Sequence, residues 1–279
     1  MKKTFSTLFR WPAFLKKRVP ILVALALLCG LVGGAALRVS TLPAGCSNED
    51  LNLENALPAA APADPDGAAV QEDKVVYLTF DDGPSPTTET VLDVLKQEGV
   101  PATFFVIAAE NNEKYLPILE RTVAEGHQIA LHSCSHKYRE IYSSPEAFWH
   151  DIEQLETAIA PYVSQPPAYL RFPGGSTNTV SRKYGGSDIM KILKTQATEK
   201  GYTYVDWNVC ADDAIGGHPS ASEIYDNVIR GAGKKNTCVV LMHDTKATAN
   251  TAEALPDIIQ WFKNAGYRFD TIDHLDKKI

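Results

Sequence analysis

The stretch Tyr77-Leu-Thr-Phe-Asp-Asp-Gly-Pro-Ser85 predicts the end of a buried β-strand and the turn that follows it. It continues an apolar run that begins at Val75, and the Gly-Pro pair then makes the chain turn. Two adjacent carboxylates, Asp81 and Asp82, stand where the strand ends. We therefore expect the functional chemistry of the protein at this turn.

Outward from this turn, apolar strand-like runs alternate with amphipathic helical segments along the rest of the chain. The predicted strands are Val75–Phe80, Ala102–Ile107, Gln128–Leu131, Tyr169–Phe172, Tyr202–Val209, Cys238–Met242 and Tyr267–Ile272. The predicted helices are Thr87–Glu98, Lys114–Glu125, Pro145–Ile159, Ser187–Lys200, Ser220–Ile229 and Thr251–Asn264. A repeated βα unit predicts an α/β fold, either a parallel barrel or an open parallel sheet.

The N-terminal region predicts one transmembrane helix before this domain. Residues 19–37 carry no charge, and a helix of nineteen residues just spans the roughly 30 Å hydrocarbon core. The basic residues of segment 1–18 predict a cytoplasmic N-terminus and a single-pass protein of the cell membrane whose C-terminal domain is extracellular. The alternative is a signal sequence that is cleaved, which would leave a secreted protein.

Residues 38–73 predict a flexible linker, because they are dominated by Ala, Pro, Asp, Asn and Glu and contain few large apolar residues. Of the 27 Lys and Arg, seven lie in residues 1–38, whereas all 34 Asp and Glu lie in residues 39–279. Residues 39–279 therefore carry a net charge of −14. Such an acidic body disfavours nucleic acid as a partner.

Polar and charged side chains follow the ends of several predicted strands. Asp81 and Asp82 come after the first strand, His132 after the third, Arg171 after the fourth and His243 after the sixth. Functional groups of parallel α/β folds gather at the carboxyl ends of the strands. We therefore expect these five groups to lie close together at the carboxyl ends of the strands.

The residues at these strand ends predict a metal site. His132 and His136 are four residues apart, a spacing that lets both imidazoles reach one ion. Asp82, on a neighbouring strand end, supplies the carboxylate of a two-histidine, one-carboxylate set that leaves positions open for water and substrate.

Four motifs in this order resemble those of the NodB-homology polysaccharide deacetylases, carbohydrate esterase family four. They are Thr79-Phe-Asp-Asp-Gly-Pro84, His132-Ser-x-x-His136, Arg171-x-Pro173 and Leu241-x-His243. The resemblance covers roughly Lys74 to Thr271 and implies a distorted parallel (β/α) barrel of about seven strands. We therefore take residues 74–279 as the catalytic domain and expect it to be a monomer. The resemblance also implies a divalent metal, commonly zinc, with cobalt, manganese or nickel as alternatives, held by Asp82, His132 and His136.

Amide hydrolysis gives the two carboxylates of the opening stretch separate roles. Asp82 is predicted to bind the metal, while Asp81 points elsewhere, because successive strand side chains alternate, and is the candidate general base. The resemblance implies that Arg171 holds this base and that Leu241 lines the pocket for the acetyl methyl group. His243 is the candidate acid for the leaving amine, since its neutral-range pKa suits that task.

The chain departs from the family pattern in two places. Where the family reads D-x-x-D-W after the fifth strand, this chain reads Cys210-Ala-Asp-Asp213-Ala214, so the carboxylate that orients His243 must be another residue. Asp213 and Asp206 are both candidates. Gly174 replaces an aromatic residue; its backbone N–H can serve an oxyanion hole, and its missing side chain predicts a wider cleft for a bulky or branched polymer.

These expectations combine into a metal-dependent N-deacetylase that releases acetate from an N-acetylated cell-wall or extracellular glycan. Peptidoglycan is the nearest substrate for a domain outside the membrane. Two alternatives stay open. One is an O-acetyl esterase, which shares the chemistry; the other is a glycan-binding module whose catalysis was lost through the changes at Cys210 and Ala214.

Overall fold

The computed structural model describes residues 73–276. The predicted membrane segment, the basic segment before it and all but the last residue of the predicted linker lie outside these residues. Within 73–276, none of the helices is both long enough and apolar enough to cross a bilayer.

The described residues form alternating strands and helices. The strands are β1 Lys74–Asp81, β2 Thr103–Ile107, β3 Gln128–Ser133, β4 Tyr169–Leu170, β5 Thr203–Tyr204, β6 Val209–Cys210, β7 Thr237–His243 and β8 Tyr267–Phe269. The α-helices are α1 Pro86–Glu98, α2 Ile118–Ala124, α3 Tyr138–Ile141, α4 Pro145–Ile159, α5 Arg182–Gly185, α6 Ile189–Glu199, α7 Ala221–Ala232 and α8 Ala249–Asn264. Short 3-10 turns occupy Glu113–Tyr115, Ala160–Tyr162, Lys246–Thr248 and Ile272–His274.

The strands form one curled parallel sheet in the order β5-β4-β3-β2-β1-β7-β6, and β8 pairs with the first half of β1. The edge strands β5 and β6 are joined by only four residues, 205–208. Such a connection spans at most about 18 Å, so the sheet must curl until its edges approach one another. The predicted parallel α/β architecture is therefore confirmed, as a barrel that is incompletely closed between β5 and β6.

One strand prediction is wrong, because residues 202–209 do not form a single strand. They split into β5 and β6 at opposite edges of the sheet. Between them, the carbonyl oxygens of Val205 and Asp206 accept hydrogen bonds from the Arg171 guanidinium, each at 3.1 Å, in place of a neighbouring strand. The buried arginine thus satisfies backbone groups where the sheet does not close.

The helix predicted over 114–125 is also shorter in the structure. A 3-10 turn at Glu113–Tyr115 precedes α2, and Pro117 stands at the N-cap of that helix. Proline has no backbone N–H and is tolerated at a helix start but not in its interior, so the helix begins after it.

Strand β1 lies inside the sheet between β2 and β7 and is buried from Val75 to Asp81. Val76 and Leu78 pack in the large core between the sheet and the helices, while Val75 and Tyr77 belong to a smaller cluster inside the barrel. Because strand side chains alternate, Asp81 continues the inward-facing set. The sequence of β1 therefore directs one of the two carboxylates into the barrel.

The turn after β1 is fixed to helix α1 and to the end of β7. Ser85 caps α1: its Oγ accepts from the Thr87 amide at 3.0 Å, and its own amide donates to Thr88 Oγ1 at 2.8 Å. A side chain at Gly83 would collide with Asp244, because an added Cβ would overlap the Asp244 carboxylate. Glycine is therefore required where this turn meets the residue after β7.

Candidate active site

The two adjacent carboxylates at the end of β1 face different surroundings. Asp81 keeps strand geometry and is 3% exposed inside the barrel. Asp82 has a φ of 70°, in the left-handed region, which turns its carboxylate toward the open end of the sheet. A non-glycine residue in this conformation costs on the order of 1 kcal/mol or more, and such strain is concentrated at functional sites.

Two imidazoles face the Asp82 carboxylate. His132 at the end of β3 places Nε2 3.5 Å from Asp82 Oδ1, and His136 places Nε2 3.3 Å from the same oxygen. The backbone carbonyl of Arg171 can only accept a hydrogen bond, so the 2.7 Å contact with His132 Nδ1 fixes the proton on that nitrogen. The lone pair of His132 Nε2 is therefore directed at the cluster.

This cluster fits a divalent cation. Asp82 Oδ1 is buried, and among residues 73–276 no donor hydrogen-bonds to it. Two ligands bound tetrahedrally at about 2.0–2.1 Å are separated by about 3.4 Å, which agrees with the observed 3.3 and 3.5 Å. Burial lowers the pKa of His132 to about 3, so this imidazole stays neutral and able to ligate.

The loop between the two histidines is organised by Asp151, a buried residue of α4 that sequence reasoning missed. Its carboxylate accepts from Ser133 Oγ at 2.6 Å, from the Cys134 amide at 2.7 Å and from the Ser135 amide at 2.9 Å. Ser133 Oγ in turn accepts from the His136 amide at 2.8 Å. An acidic residue on the buried face of an amphipathic helix is the sequence signal that could have found it.

Asp81 forms a buried ion pair with Arg171. The Arg171 Nη1 donates to Asp81 Oδ1 at 2.7 Å and to Thr79 Oγ1 at 2.9 Å, and the guanidinium lies 4.0 Å from the Phe105 ring centroid. Burial raises the pKa of Asp81, against the opposing charge of Arg171. The other oxygen, Oδ2, lies 3.8 Å from His132 Nε2, so it stands at the edge of the metal cluster.

His243 has a carboxylate partner, and it is Asp213. Asp213 Oδ1 lies 2.8 Å from His243 Nδ1, and Oδ2 accepts from the His243 amide and from Thr251 Oγ1, both at 2.7 Å. Burial alone would lower the pKa of His243, but the hydrogen bond and charge of Asp213 outweigh it and raise this pKa to about 9. Asp206, the other sequence candidate, accepts instead from the Ser176 amide at 2.8 Å and from Ser176 Oγ at 2.5 Å.

The space beside Gly174 is filled, which corrects the expectation of a cleft without a wall there. An added Cβ at Gly174, whose φ is 78°, would stand 2.7 Å from the Tyr138 hydroxyl oxygen. The Tyr138 ring lies edge-on to His136, with centroids 5.6 Å apart. Burial, followed by the charges of Asp82 and Asp81, raises the pKa of Tyr138 to about 12, so its hydroxyl is a hydrogen-bond donor at neutral pH.

Strand register brings the acid side of the site to the base side. Asp81 and His243 are paired across β1 and β7, and Thr79 and Leu241 are paired two residues earlier. Leu241 is buried and lies on the same strand face as His243, since the two are two positions apart with only Met242 between them. The predicted base, acid and acetyl-pocket residues are thus placed at one end of the sheet with the metal cluster.

Comparisons with known proteins show which family this sequence resembles. The sequence matches the family model described as polysaccharide deacetylase over residues 68–190. One relative, a peptidoglycan-N-acetylglucosamine deacetylase from Bacillus cereus, is 34% identical over 206 residues, which cover 73% of this chain and 88% of the relative.

Solved structures include two similar proteins. The catalytic domain of a peptidoglycan N-acetylglucosamine deacetylase from Eubacterium rectale superposes with a TM-score of 0.70 at 39% identity, covering 74% of this chain and 91% of that one. A family 4 acetyl xylan esterase from Clostridium thermocellum, in complex with a cobalt ion, superposes with a TM-score of 0.58 at 30% identity, covering 72% and 90% of the two chains.

Proposed function

The chain belongs to the polysaccharide deacetylase family, and from that premise we propose that it hydrolyses N-acetyl groups of a cell-wall or extracellular glycan, peptidoglycan first among them. Two of the similar proteins are named for peptidoglycan N-acetylglucosamine, which supports this substrate. The proposal rests mainly on one observation. The cluster of Asp82, His132 and His136 lies at the same end of the sheet as two buried charge pairs, Asp81 with Arg171 and His243 with Asp213.

Asp82, His132 and His136 are the proposed ligands of a divalent metal, zinc foremost, with cobalt, manganese or nickel as alternatives. Such an ion supplies positive charge that polarises an acetamide carbonyl and makes a neighbouring water more acidic. The cobalt ion in the similar acetyl xylan esterase supports a metal in this family.

Asp81 is the proposed general base that removes a proton from the attacking water. Arg171 occupies Asp81 Oδ1 at 2.7 Å, so Oδ2 is the oxygen that remains to accept the proton. Because Arg171 is fully buried and also bonded to Thr79, it holds the carboxylate in one orientation. We assign Arg171 the role of a positioning residue.

His243 is the proposed general acid. As the water oxygen bonds to the carbonyl carbon and the C–N bond breaks, the imidazolium donates its proton to the leaving amine, and acetate is released. Asp213 keeps this imidazole charged and oriented through Nδ1. The Gly174 N–H is proposed to donate to the developing oxyanion, and Leu241 to contact the acetyl methyl group.

The test is acetate release from purified peptidoglycan and from N-acetylglucosamine oligomers by metal-loaded protein. We expect wild-type release and a fall of at least about 100-fold for Asp81→Asn, whose amide cannot take the proton. Absence of release from every N-acetylated glycan would overturn the proposed function. Release that Asp81→Asn leaves unchanged would remove Asp81 from its assigned role.

An O-acetyl esterase is the second candidate, because one similar structure is an acetyl xylan esterase. Acetate release from acetylxylan, compared with release from N-acetylated oligomers at equal acetyl concentration, separates the two. A higher kcat/KM on acetylxylan would favour the esterase.

We further propose that residues 19–37 tether the domain to the outside of the cell membrane. Their charge-free sequence between basic flanks supports this proposal. Recovery of the full-length chain in the membrane fraction, and its release by a deletion of residues 1–37, is the expected result; full-length protein in the culture supernatant would contradict it.

A further inference from the structure

A cavity of about 560 Å³ opens beside the proposed metal ligands. Asp82 and His136 form its inner wall, and the residues of two surface turns form its outer walls. This volume lies in the range of small-molecule binding sites. The cavity is therefore large enough for a sugar that neighbours the one whose acetyl group is at the cluster.

The outer walls carry two lysines, Lys114 and Lys246, both of which are exposed. Asp82 is the single acidic residue among the described residues that line the cavity, and it faces the histidines. Neither lysine belongs to an ion pair of the described residues, which is also true of Lys183 and Lys191, whereas Lys96, Lys137 and Lys263 pair with glutamates. In a body of net charge −14, two unpaired cations thus share one cavity.

The wall that carries Lys114 is bonded to the turn after β1. The Asn112 side chain donates to the backbone oxygens of Asp82 and Pro84, both at 3.0 Å. Two residues further on, the Lys114 ammonium lies 4.9 Å from the Tyr115 ring centroid, a cation–π distance. This cation is therefore held at a wall whose backbone is fixed to that of a proposed metal ligand.

The wall that carries Lys246 is bonded to the proposed acid. Thr248 Oγ1 donates to the His243 backbone oxygen at 2.9 Å and to the Thr245 backbone oxygen at 3.1 Å, which closes the turn that contains Lys246. This turn follows β7, and the Lys114 wall follows β2. Since β2 and β7 flank β1 in the sheet, the two turns that carry the lysines follow strands on either side of β1, which ends at Asp81.

We propose that this cavity binds a carboxylate of the substrate, so that the enzyme prefers an N-acetylated glycan that carries a carboxylate on the neighbouring sugar. This inference rests on the proposed function and narrows its substrate class. Two ammonium groups that belong to no ion pair of the described residues attract a carboxylate and raise its encounter rate, an effect that salt screens. Neutral glycans such as chitin oligomers have no carboxylate, so the two ammonium groups do not increase their affinity or encounter rate.

The test is a charge-removing double variant, Lys114→Gln with Lys246→Gln, in metal-loaded protein. We expect its kcat/KM for carboxylate-bearing peptidoglycan fragments to fall about tenfold at low ionic strength, since each exposed pair contributes a modest factor. Its kcat/KM for neutral N-acetylglucosamine oligomers stays unchanged, which also shows that the variant is folded. Added salt narrows the difference between wild type and variant.

A matched control is the double variant Lys183→Gln with Lys191→Gln. Lys183 is also exposed and makes a similar contact, 5.7 Å from the Tyr184 ring centroid, but neither lysine lines the cavity. We expect wild-type kcat/KM on both substrates. An equal loss on charged and neutral substrates for the cavity variant, or an equal loss for cavity and control variants, would overturn the inference while the proposed function stands.

A second measurement separates the inference from the proposed function. Co-sedimentation with insoluble peptidoglycan measures binding without turnover, and we expect about tenfold weaker binding for the cavity variant than for the control. If wild type released no acetate from either glycan, the proposed function would fail, and equal binding by the two double variants would then overturn the carboxylate site as well.

Discussion

His132 and His243 flank Asp81 on its two sides, and the structure holds them in opposite protonation states. Burial lowers the pKa of His132 to about 3, and its Nδ1 partner is the neutral carbonyl of Arg171. His243 is also buried, yet the Asp213 carboxylate at Nδ1 raises its pKa to about 9. A carbonyl fixes the tautomer without favouring the cation, whereas a carboxylate favours the cation. The partner of Nδ1 therefore suits one histidine to bind a metal and the other to donate a proton.

The largest effect is expected from loss of the neutral histidine. His132→Gln removes a nitrogen of the proposed ligand set. We expect loss of bound metal and a fall in kcat/KM of at least about 1000-fold, because a bound metal would supply several kcal/mol of charge stabilisation. Metal content by mass spectrometry and acetate release measure both effects. A His132→Gln protein that retains one metal ion per chain would contradict the ligand assignment.

The second-largest effect is expected from loss of His243, and it distinguishes the role of His243 from that of His132. His243→Ala removes the proposed proton donor, so we expect kcat/KM to fall about 100- to 1000-fold with metal content unchanged. The same two measurements apply. Loss of metal in His243→Ala would show that the two histidines do not have distinct roles.

Sequence reasoning predicted the metal side of the site better than the acid side, for a physical reason. His132 and His136 are close in sequence, and Asp82 comes just after the strand that the apolar run from Val75 predicts. Each placement depends on local geometry. The grouping Asp82, His132 and His136 is brought together in the structure, with ligand atoms within 4.8 Å of one another.

The partner of His243 could not be chosen from sequence, because the choice depends on where a strand breaks. Residues 202–209 read as one strand, which leaves Asp206 and Asp213 equivalent as candidates. In the structure the chain crosses from β5 to β6 between them, so Asp206 stays near Ser176 while Asp213 follows β6 and reaches β7. The departure at Cys210 therefore does not leave His243 without a carboxylate. Tyr138 beside Gly174 is likewise a tertiary contact with no local signal.

The loop that holds His132 and His136 can be weakened without substituting a proposed metal ligand. Asp151→Asn keeps the shape of the side chain but cannot accept from Ser133, Cys134 and Ser135 at once, since one of its oxygens becomes an amide nitrogen. We expect metal affinity to fall about 10- to 100-fold, as for other residues that orient ligands. Competition with a chelator measures it. Wild-type affinity would mean that the loop between His132 and His136 is held by other contacts.

The smallest expected effect is a shift in the pH dependence of kcat/KM, and it tests the charge of His243 most directly. His243 must be protonated to act as an acid, so activity is present below its pKa and is lost as the pH rises through about 9. Asp213→Asn removes the charge that raises this pKa, and we expect the alkaline limb of kcat/KM to move about one to two pH units lower. Asp206→Asn is the matched control, because Asp206 binds Ser176 and not His243; its alkaline limb stays in place. An unmoved limb in Asp213→Asn would show that another group titrates there, and the contrast between His132 and His243 would then rest on geometry alone.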